Sequence, residues 1–433
     1  MKTFYKMKWN RYIGNLCACM VLIMPAMAQK TYTLDECLEQ ALRNNVRIKN
    51  ATNDLRMAQY EQHGTFSKYF PSVSATAGGL IASKGLLEME LQPGMLVSMV
   101  DDGVVGGISA SIPLFAGRQI VHANRLAKNA VEISKIKMSQ SKDEVVLTTE
   151  KYFWQVAVLK EKLKTIGKVE KQLESVRKDV EVAVRAGIVN NNDLLQIQLR
   201  QNEMESTRLS VENTLWFARN ILAQYIGLGT QAIEITMDTD TLLPPEDVYI
   251  KPEIALPANY NYQLLEENVE IMRTQQKMAV GKNLPVIAIG GNYSYENLFD
   301  RDHHVGVGFA TISIPISDWW GGSQSIKKQK LNACNAENTL ADQSEVLLIG
   351  IAHIWNSLQE AYRQIHIAIN SIEQATENLR LQTDYYRTGL CTLSDLLDAQ
   401  TLYQQSHDKY MEAYAQYALK KREYLQATGQ EKY

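Results

Sequence analysis

One phrase occurs twice in this chain. "RAGIVNNNDLLQIQ" runs from Arg185 to Gln198, and "RTGLCTLSDLLDAQ" runs from Arg387 to Gln400. Both fit R-x-G-[IL]-x-x-x-x-D-L-L-x-x-Q, at an offset of 202 (387 − 185). A fixed offset over that distance implies two copies of one supersecondary unit. Other pairs follow the same order. "YFPSVSATAGG" (Tyr69 to Gly79) answers "NLPVIAIGGNYSY" (Asn283 to Tyr295), and "SIPLFAGRQ" (Ser111 to Gln119) answers "SIPISDWWGGSQ" (Ser313 to Gln324). Each half therefore reads helix, strand, loop, strand, long helix, R-x-G turn, helix. The halves are expected at 29–227 and 259–433, joined by a proline-bearing connector at 228–258.

The long helices carry heptad seams. Leu347, Ile351, Ile354, Leu358, Ala361, Ile365, Ala368, Ile372, Ala375 and Leu379 step by four and three without a break. Tyr152, Val156, Leu159, Leu163 and Ile166 begin a similar run, which resumes after a slip at Leu173, Val176, Val180 and Ala183. No proline falls between Gly117 and Ala186. About 70 helical residues at 1.5 Å each extend roughly 100 Å, too long for a compact globule.

The strands have a period of two. Ile287, Ile289, Gly291, Tyr293 and Tyr295 alternate with small or polar residues, as do Ile108, Ala110, Ile112 and Leu114. Four such segments are expected, at 71–84, 104–115, 285–297 and 304–315. One apolar and one small or polar face suits a membrane barrel, with Tyr293, Tyr295, Trp319 and Trp320 as boundary residues. A soluble sandwich would give the same pattern strand by strand. Four strands cannot close a barrel alone, and lipid does not tolerate open edges, so a barrel would need several chains.

Residues 1–28 read as a secretory signal: Lys2, Lys6, Lys8 and Arg11, an apolar stretch, then Ala26-Met27-Ala28 before Gln29. No other stretch has the ~18 apolar residues of a membrane-spanning helix. Without the signal the charge is 41 − 48 = −7, which disfavours nucleic acid as a partner. Cys37, Cys334 and Cys391 remain, without metal or disulfide spacing. His303-His304 are expected in a loop between strands. No phosphate loop, nucleophile elbow or HExxH motif occurs, so no enzyme and no cofactor is expected.

In each phrase Gly187 or Gly389 suits a left-handed helix cap, and Asn190–Asn192 or Thr392 and Ser394 suit a restart. Each phrase is thus a helical hairpin turn. Asp193 and Asp395 then read either as caps or as functional carboxylates.

The ordered set of "LDECLEQALRNN" (Leu34 to Asn45), the two strand starts after proline, "PLFAGRQ" and the doubled phrase resembles the TolC family of outer-membrane efflux channels over essentially the whole mature chain. The resemblance implies a mainly α protein with a membrane β-barrel part: long antiparallel coiled-coil helices and four strands per chain. As a homotrimer these would form a shared 12-stranded barrel in outer-membrane lipid, with a helical tunnel into the periplasm. It implies a passive duct partnered by a periplasmic adaptor and an inner-membrane pump. It also implies a periplasmic gate in which Asp395 and Asp398 match ring aspartates, Asp193 an aspartate on the neighbouring hairpin, and Tyr386 the tyrosine that bonds to it. Arg185, Gly187, Ile188, Arg387, Gly389 and Leu390 fall at the adaptor-contacting tips. Cys391 stands where a latch arginine is expected, leaving Arg387 or Arg185 as substitutes. The rival class is a secreted, fibrous or adhesin-like coiled coil.

Overall fold

The structure is a computed structural model. It describes residues 31–83, 87–93, 95–99, 102–230, 233–237, 244–297, 302–316 and 318–431. The signal segment lies outside these, as does the side chain of Trp319.

In chain order the elements are β1 (Thr31–Tyr32), α1 (Leu34–Asn44), α2 (Val46–Phe66), β2 (Ser72–Ile81), β3 (Leu87–Gln92), β4 (Met95–Met99) and β5 (Asp102–Ala116). Then come α3 (Gln119–Arg185), α4 (Asn191–Tyr225), β6 (Glu234–Ile235), α5 (Tyr260–Lys282), β7 (Val286–Asn297), β8 (His303–Ser313), α6 (Asp318–Thr388) and α7 (Leu393–Ala427). Short 3₁₀ and α turns fill the connector before α5. The offset of 202 continues past the phrase. Helices α4 and α7 are both 35 residues long, start 202 apart (393 − 191) and are followed by Gly227 and Gly429 in the left-handed region.

The chain divides into two compact units, each drawing on both sequence halves. The first takes its described residues from Met1–Asn45, Thr148–Leu242 and Gln364–Gln416. Here the seams are the core: Val156, Ile166, Leu173, Val180, Ile365, Ala368, Ala375 and Leu379 are all buried. The parallel pair of β1 and β6 lies in this unit. It is tied to helices through Glu234, which takes Arg219 at 2.8 Å and Lys160 at 3.6 Å. The first helical stretch is broken between α1 and α2 at Asn45, whose backbone is extended and whose side-chain amide donates to the Tyr225 carbonyl at 2.9 Å.

The second unit takes its described residues from Val46–Leu147, Leu243–Arg363 and Tyr417–Tyr433. It contains an antiparallel sheet in the order β2-β5-β7-β8. The register places Ala75, Ile108, Tyr293 and Gly306 in one row and Ser74, Ser109, Asn292 and Val307 in the next. The alternation is therefore real across the sheet: Val73, Ala75, Ile108, Ala110, Ile112 and Ile289 share one face. Ser72, Ser74, Ser109 and Ser111 share the other, where Ser74 and Ser109 are 2.8 Å apart. In β8 the rule inverts, with Val305, Val307 and Phe309 on the serine face. Among the described residues, the outer edges of β2 and β8 are unpaired. An unplanned feature is the hairpin of β3 and β4 in the link between β2 and β5. His303 and His304, expected in a loop, open β8, and His304 lies against the Tyr293 hydroxyl at 3.3 Å.

Candidate functional site

The two hairpin tips are built alike. Helix α3 ends where Gly187 turns into the left-handed region (φ 73°), and α6 ends the same way at Gly389 (φ 76°). Gly187 N–H donates to Val184 (3.0 Å) and Ile188 N–H to Ala183 (2.9 Å). Gly389 N–H donates to Tyr386 (3.1 Å) and Leu390 N–H to Tyr385 (2.8 Å). These are paired Schellman caps, in which a residue without a Cβ takes the left-handed position at no steric cost. The apolar residue after each glycine usually folds back on its helix. Here Ile188 and Leu390 stay 77% and 75% exposed.

The restarts differ. Thr392 N–H donates to the Asp395 carboxylate at 2.9 Å, and its hydroxyl does so at 2.6 Å. Asp395 N–H donates back to the Thr392 hydroxyl at 3.3 Å. Asp395 is thus the third-position acid of a reciprocal cap on α7, and these bonds pull its carboxyl below the usual range. Asp193 occupies the same place on α4, but among the described residues only its backbone is used, donating to Asn190 at 3.1 Å. Of the two aspartates that sequence reads as caps or functional groups, one caps and the other does not.

The leucines of the repeated phrase explain its doubling. Leu393, Leu396 and Ala399 of α7 pack with Ile197 of α4, Val176 and Val180 of α3 and Leu379 of α6, and Leu194, Leu397 and Tyr386 close over them. Each hairpin supplies half of one core. A hydrogen bond from the Arg200 guanidinium to the Thr401 hydroxyl (2.7 Å) links the hairpins again further along.

With Leu393, Leu396 and Ala399 turned inward, Asp395 and Asp398 are left on an exposed face of α7, one helical turn apart. Asp193 and Tyr386 line one open cavity of about 1160 Å³ with Asp179, Gln196, Arg387 and Cys391. Burial raises the Tyr386 hydroxyl above its ordinary pKa, and the charges of Asp193 and Asp179 add to this. Among the described residues no hydrogen bond joins Tyr386 to Asp193. Arg185 is held by Glu181 at 2.9 Å, while Arg387 is exposed and, among the described residues, has no ion pair. The Cys391 thiol points back to the Gln382 carbonyl at 3.5 Å, and burial pushes its pKa up.

Three contributors were not singled out from sequence. Asp179 has no motif. Glu174 takes Arg177 at 2.9 Å and Gln201 at 3.1 Å, pairing α3 with α4, and these bonds pull its carboxyl down to about 2. The Arg200 tie is equally invisible, whereas Thr392 is legible as a residue type that restarts a helix. Among the described residues no metal-sized cluster of His, Cys, Asp or Glu exists, and no helix is long and apolar enough to cross a membrane.

The family model for outer membrane efflux proteins matches residues 37–228 and 252–430. No curated protein matches the chain. Among solved structures, the outer membrane protein VceC from Vibrio cholerae is similar at 16% identity and a TM-score of 0.77, covering 92% of this chain and 96% of that one. CusC gives 14% and 0.79, covering 92% of each. The open-state MtrE channel of Neisseria gonorrhoeae gives 17% and 0.72, covering 92% and 88%.

Proposed function

The chain belongs to the outer membrane efflux protein family, and from that premise we propose that it is the exit duct of a tripartite efflux or secretion assembly, narrowed at its periplasmic end by aspartates. Members of the family are passive channels of the outer membrane rather than enzymes, form trimers and work with efflux pumps. Membership removes the rival reading of a secreted fibrous coiled coil. The finer reading has three parts.

Among the described residues, the four-stranded sheet has two open edges. Open edges are not stable in lipid, and three copies supply twelve strands, enough to close a pore. The two repeats, 29–227 and 259–433 with their connector 228–258, would each give one strand pair and one hairpin to the wall.

At the tip, three-fold symmetry would gather Asp395 and Asp398 into two stacked carboxylate rings. Rings of carboxylates attract cations and repel anions. The exposure of both side chains opposite a shared apolar core is the observation that carries this assignment. Asp193, from the neighbouring hairpin, and Tyr386, on the same hairpin as the ring aspartates, would close the gate between them. Arg387 is the better substitute for the arginine absent at Cys391, because Arg185 is already engaged by Glu181. A periplasmic adaptor tied to an inner-membrane pump would dock on the tips through Arg185, Gly187, Ile188, Arg387, Gly389 and Leu390. Ile188 and Leu390 supply exposed apolar area there.

Single-channel recording in a planar bilayer tests the gate. Asp398→Asn is the cleaner variant, since Asp395 also caps its helix. Wild-type channels are expected to prefer cations. Asp398→Asn should weaken the preference, and Asp395→Ala/Asp398→Ala should abolish it and enlarge the conductance steps. Unchanged ion preference in the double variant would remove the aspartates from the constriction.

A further inference from the structure

The sheet's helix-side end has an unusual charge. The ends of β2, β5, β7 and β8 that meet the helices lie together, since Ser72 pairs with Ser111, Phe115 with Ile287 and Val286 with Ser313. The segments leaving that end, 62–71, 116–128, 277–285 and 314–330, contain nine lysines and arginines and one acid, Asp318. The chain as a whole has 45 basic and 48 acidic residues, so this concentration is not a reflection of composition. At the opposite end the sign reverses: the described residues of the links, 82–83, 87–93, 95–99 and 302, include Glu88, Glu90 and Asp302 and no lysine or arginine.

The cations at the helix-side end are available. Lys68, Arg118 and Lys282 are exposed and sit within a few residues of the strand ends, and Lys327, Lys328 and Lys330 follow two to three turns into α6. Among the described residues none of these six has an acidic partner, although the neighbouring Arg125 pairs with Glu270. Aromatic rings share the level. Phe66, Tyr69, Phe70 and Trp320 are 54%, 40%, 60% and 79% exposed, with Phe66 edge-on to Tyr69 and Phe70 at 5.5 and 5.9 Å. Exposed aromatic rings mark a lipid–water boundary, and lysine stems can lie along apolar surface while their ammonium groups reach headgroups.

We propose that this end of the sheet binds anionic phospholipid headgroups of the leaflet facing the helices. Lys68, Arg118 and Lys282 make the headgroup contacts, and Phe66, Phe70 and Trp320 sit at the acyl boundary. The proposal rests on the sheet being the membrane-embedded part. Its occupant is lipid rather than free phosphate because the cations are continuous with exposed aromatic rings and with the sheet's apolar face. A near-surface basic residue strengthens attraction to anionic lipid by about fivefold.

The test is a native mass-spectrometric titration of the detergent-solubilised full chain with phosphatidylglycerol, phosphatidylcholine and inorganic phosphate. The comparison variant is Lys68→Gln/Arg118→Asn/Lys282→Gln. Asparagine is used because Arg118 has a positive φ of 60°, which asparagine tolerates. A charge-matched control, Lys164→Gln/Lys171→Gln/Lys178→Gln, lies far down α3. Wild type and control should prefer phosphatidylglycerol to phosphatidylcholine, and the first variant should lose at least about tenfold of that preference while keeping its helical signal and conductance. Equal preference in the variant overturns the proposal, as does displacement of the lipid by inorganic phosphate. A protein that never inserts into phosphatidylcholine vesicles refutes the membrane placement of the sheet instead, which separates the two failures.

Discussion

Leu396→Ala tests whether the two copies of the repeated phrase hold one another. Leu396 is 1% exposed, and its cluster takes Val176 and Val180 from α3, Ile197 from α4 and Leu379 from α6. Leucine-to-alanine changes in well-packed cores cost about 2.7–5 kcal/mol, rising with the cavity that remains. The partners here come from three further helices, which cannot all close in together, yet the tip is near a chain turn and can relax. A value of about 3 kcal/mol follows. Tips open locally rather than with the whole protein, so hydrogen exchange is the proper assay. At 1.4 kcal/mol per factor of ten, the first turns of both α4 and α7 should exchange roughly a hundredfold faster. Leu402→Ala removes the same atoms from the same helix at a site 51% exposed, and should change stability by less than about 0.5 kcal/mol. If exchange accelerates in α7 alone, the hairpins do not share a core. If Leu402→Ala accelerates it as much as Leu396→Ala does, burial is not the cause.

Other outcomes follow from the same geometry. Gly389→Ala meets open space and should cost only the ~1–2 kcal/mol of a left-handed alanine, whereas at Gly227, also left-handed, an added Cβ would run into Asn44, so Gly227→Ala should lower the thermal midpoint further. Thr392→Ala removes the hydroxyl that helps hold Asp395 below its ordinary pKa. Because that folded pKa is depressed, the cap's contribution is present above the ordinary carboxylate range and lost as pH falls through the folded value, and exchange of the first α7 turn should show this acid dependence in wild type and less of it in the variant. Asp143, 9% exposed, is pushed up to about 6, chiefly by burial and then by Glu431. An acid with a raised folded pKa favours the fold at low pH and loses that contribution as pH rises through about 6, so Asp143→Asn should flatten the thermal midpoint between roughly pH 4 and 6.

Much of this was legible in the residues. Helix α3 spans Gln119–Arg185 because no proline between Gly117 and Ala186 interrupts it, and the seam from Leu347 to Leu379 is buried or half-buried throughout. The strands were legible where β-branched residues alternate with serine. The β3–β4 hairpin was not, although Gln92-Pro93 bends the chain at its tip, because methionine and leucine suit a helix as well as a strand. The β1–β6 pair escaped because two-residue strands have no period. At the tips, turn chemistry placed Gly187, Gly389 and Thr392, since those constraints are local. Asp179 and Arg200 act through neighbours distant in sequence, and no local pattern marks such residues.

The two open sheet edges bear on inheritance as well as on architecture. In the proposed trimer, a pore that each polypeptide only partly builds would be owned jointly, so a copy able to join but not to complete the seam would spoil the work of sound copies. In a cell making equal amounts of a normal chain and one with a damaged β2 or β8 edge, random mixing would leave roughly one trimer in eight free of the defect. Lesions at the seam should therefore be dominant. Lesions that prevent the chain from joining at all should be recessive, and co-expression alone would tell the two kinds apart.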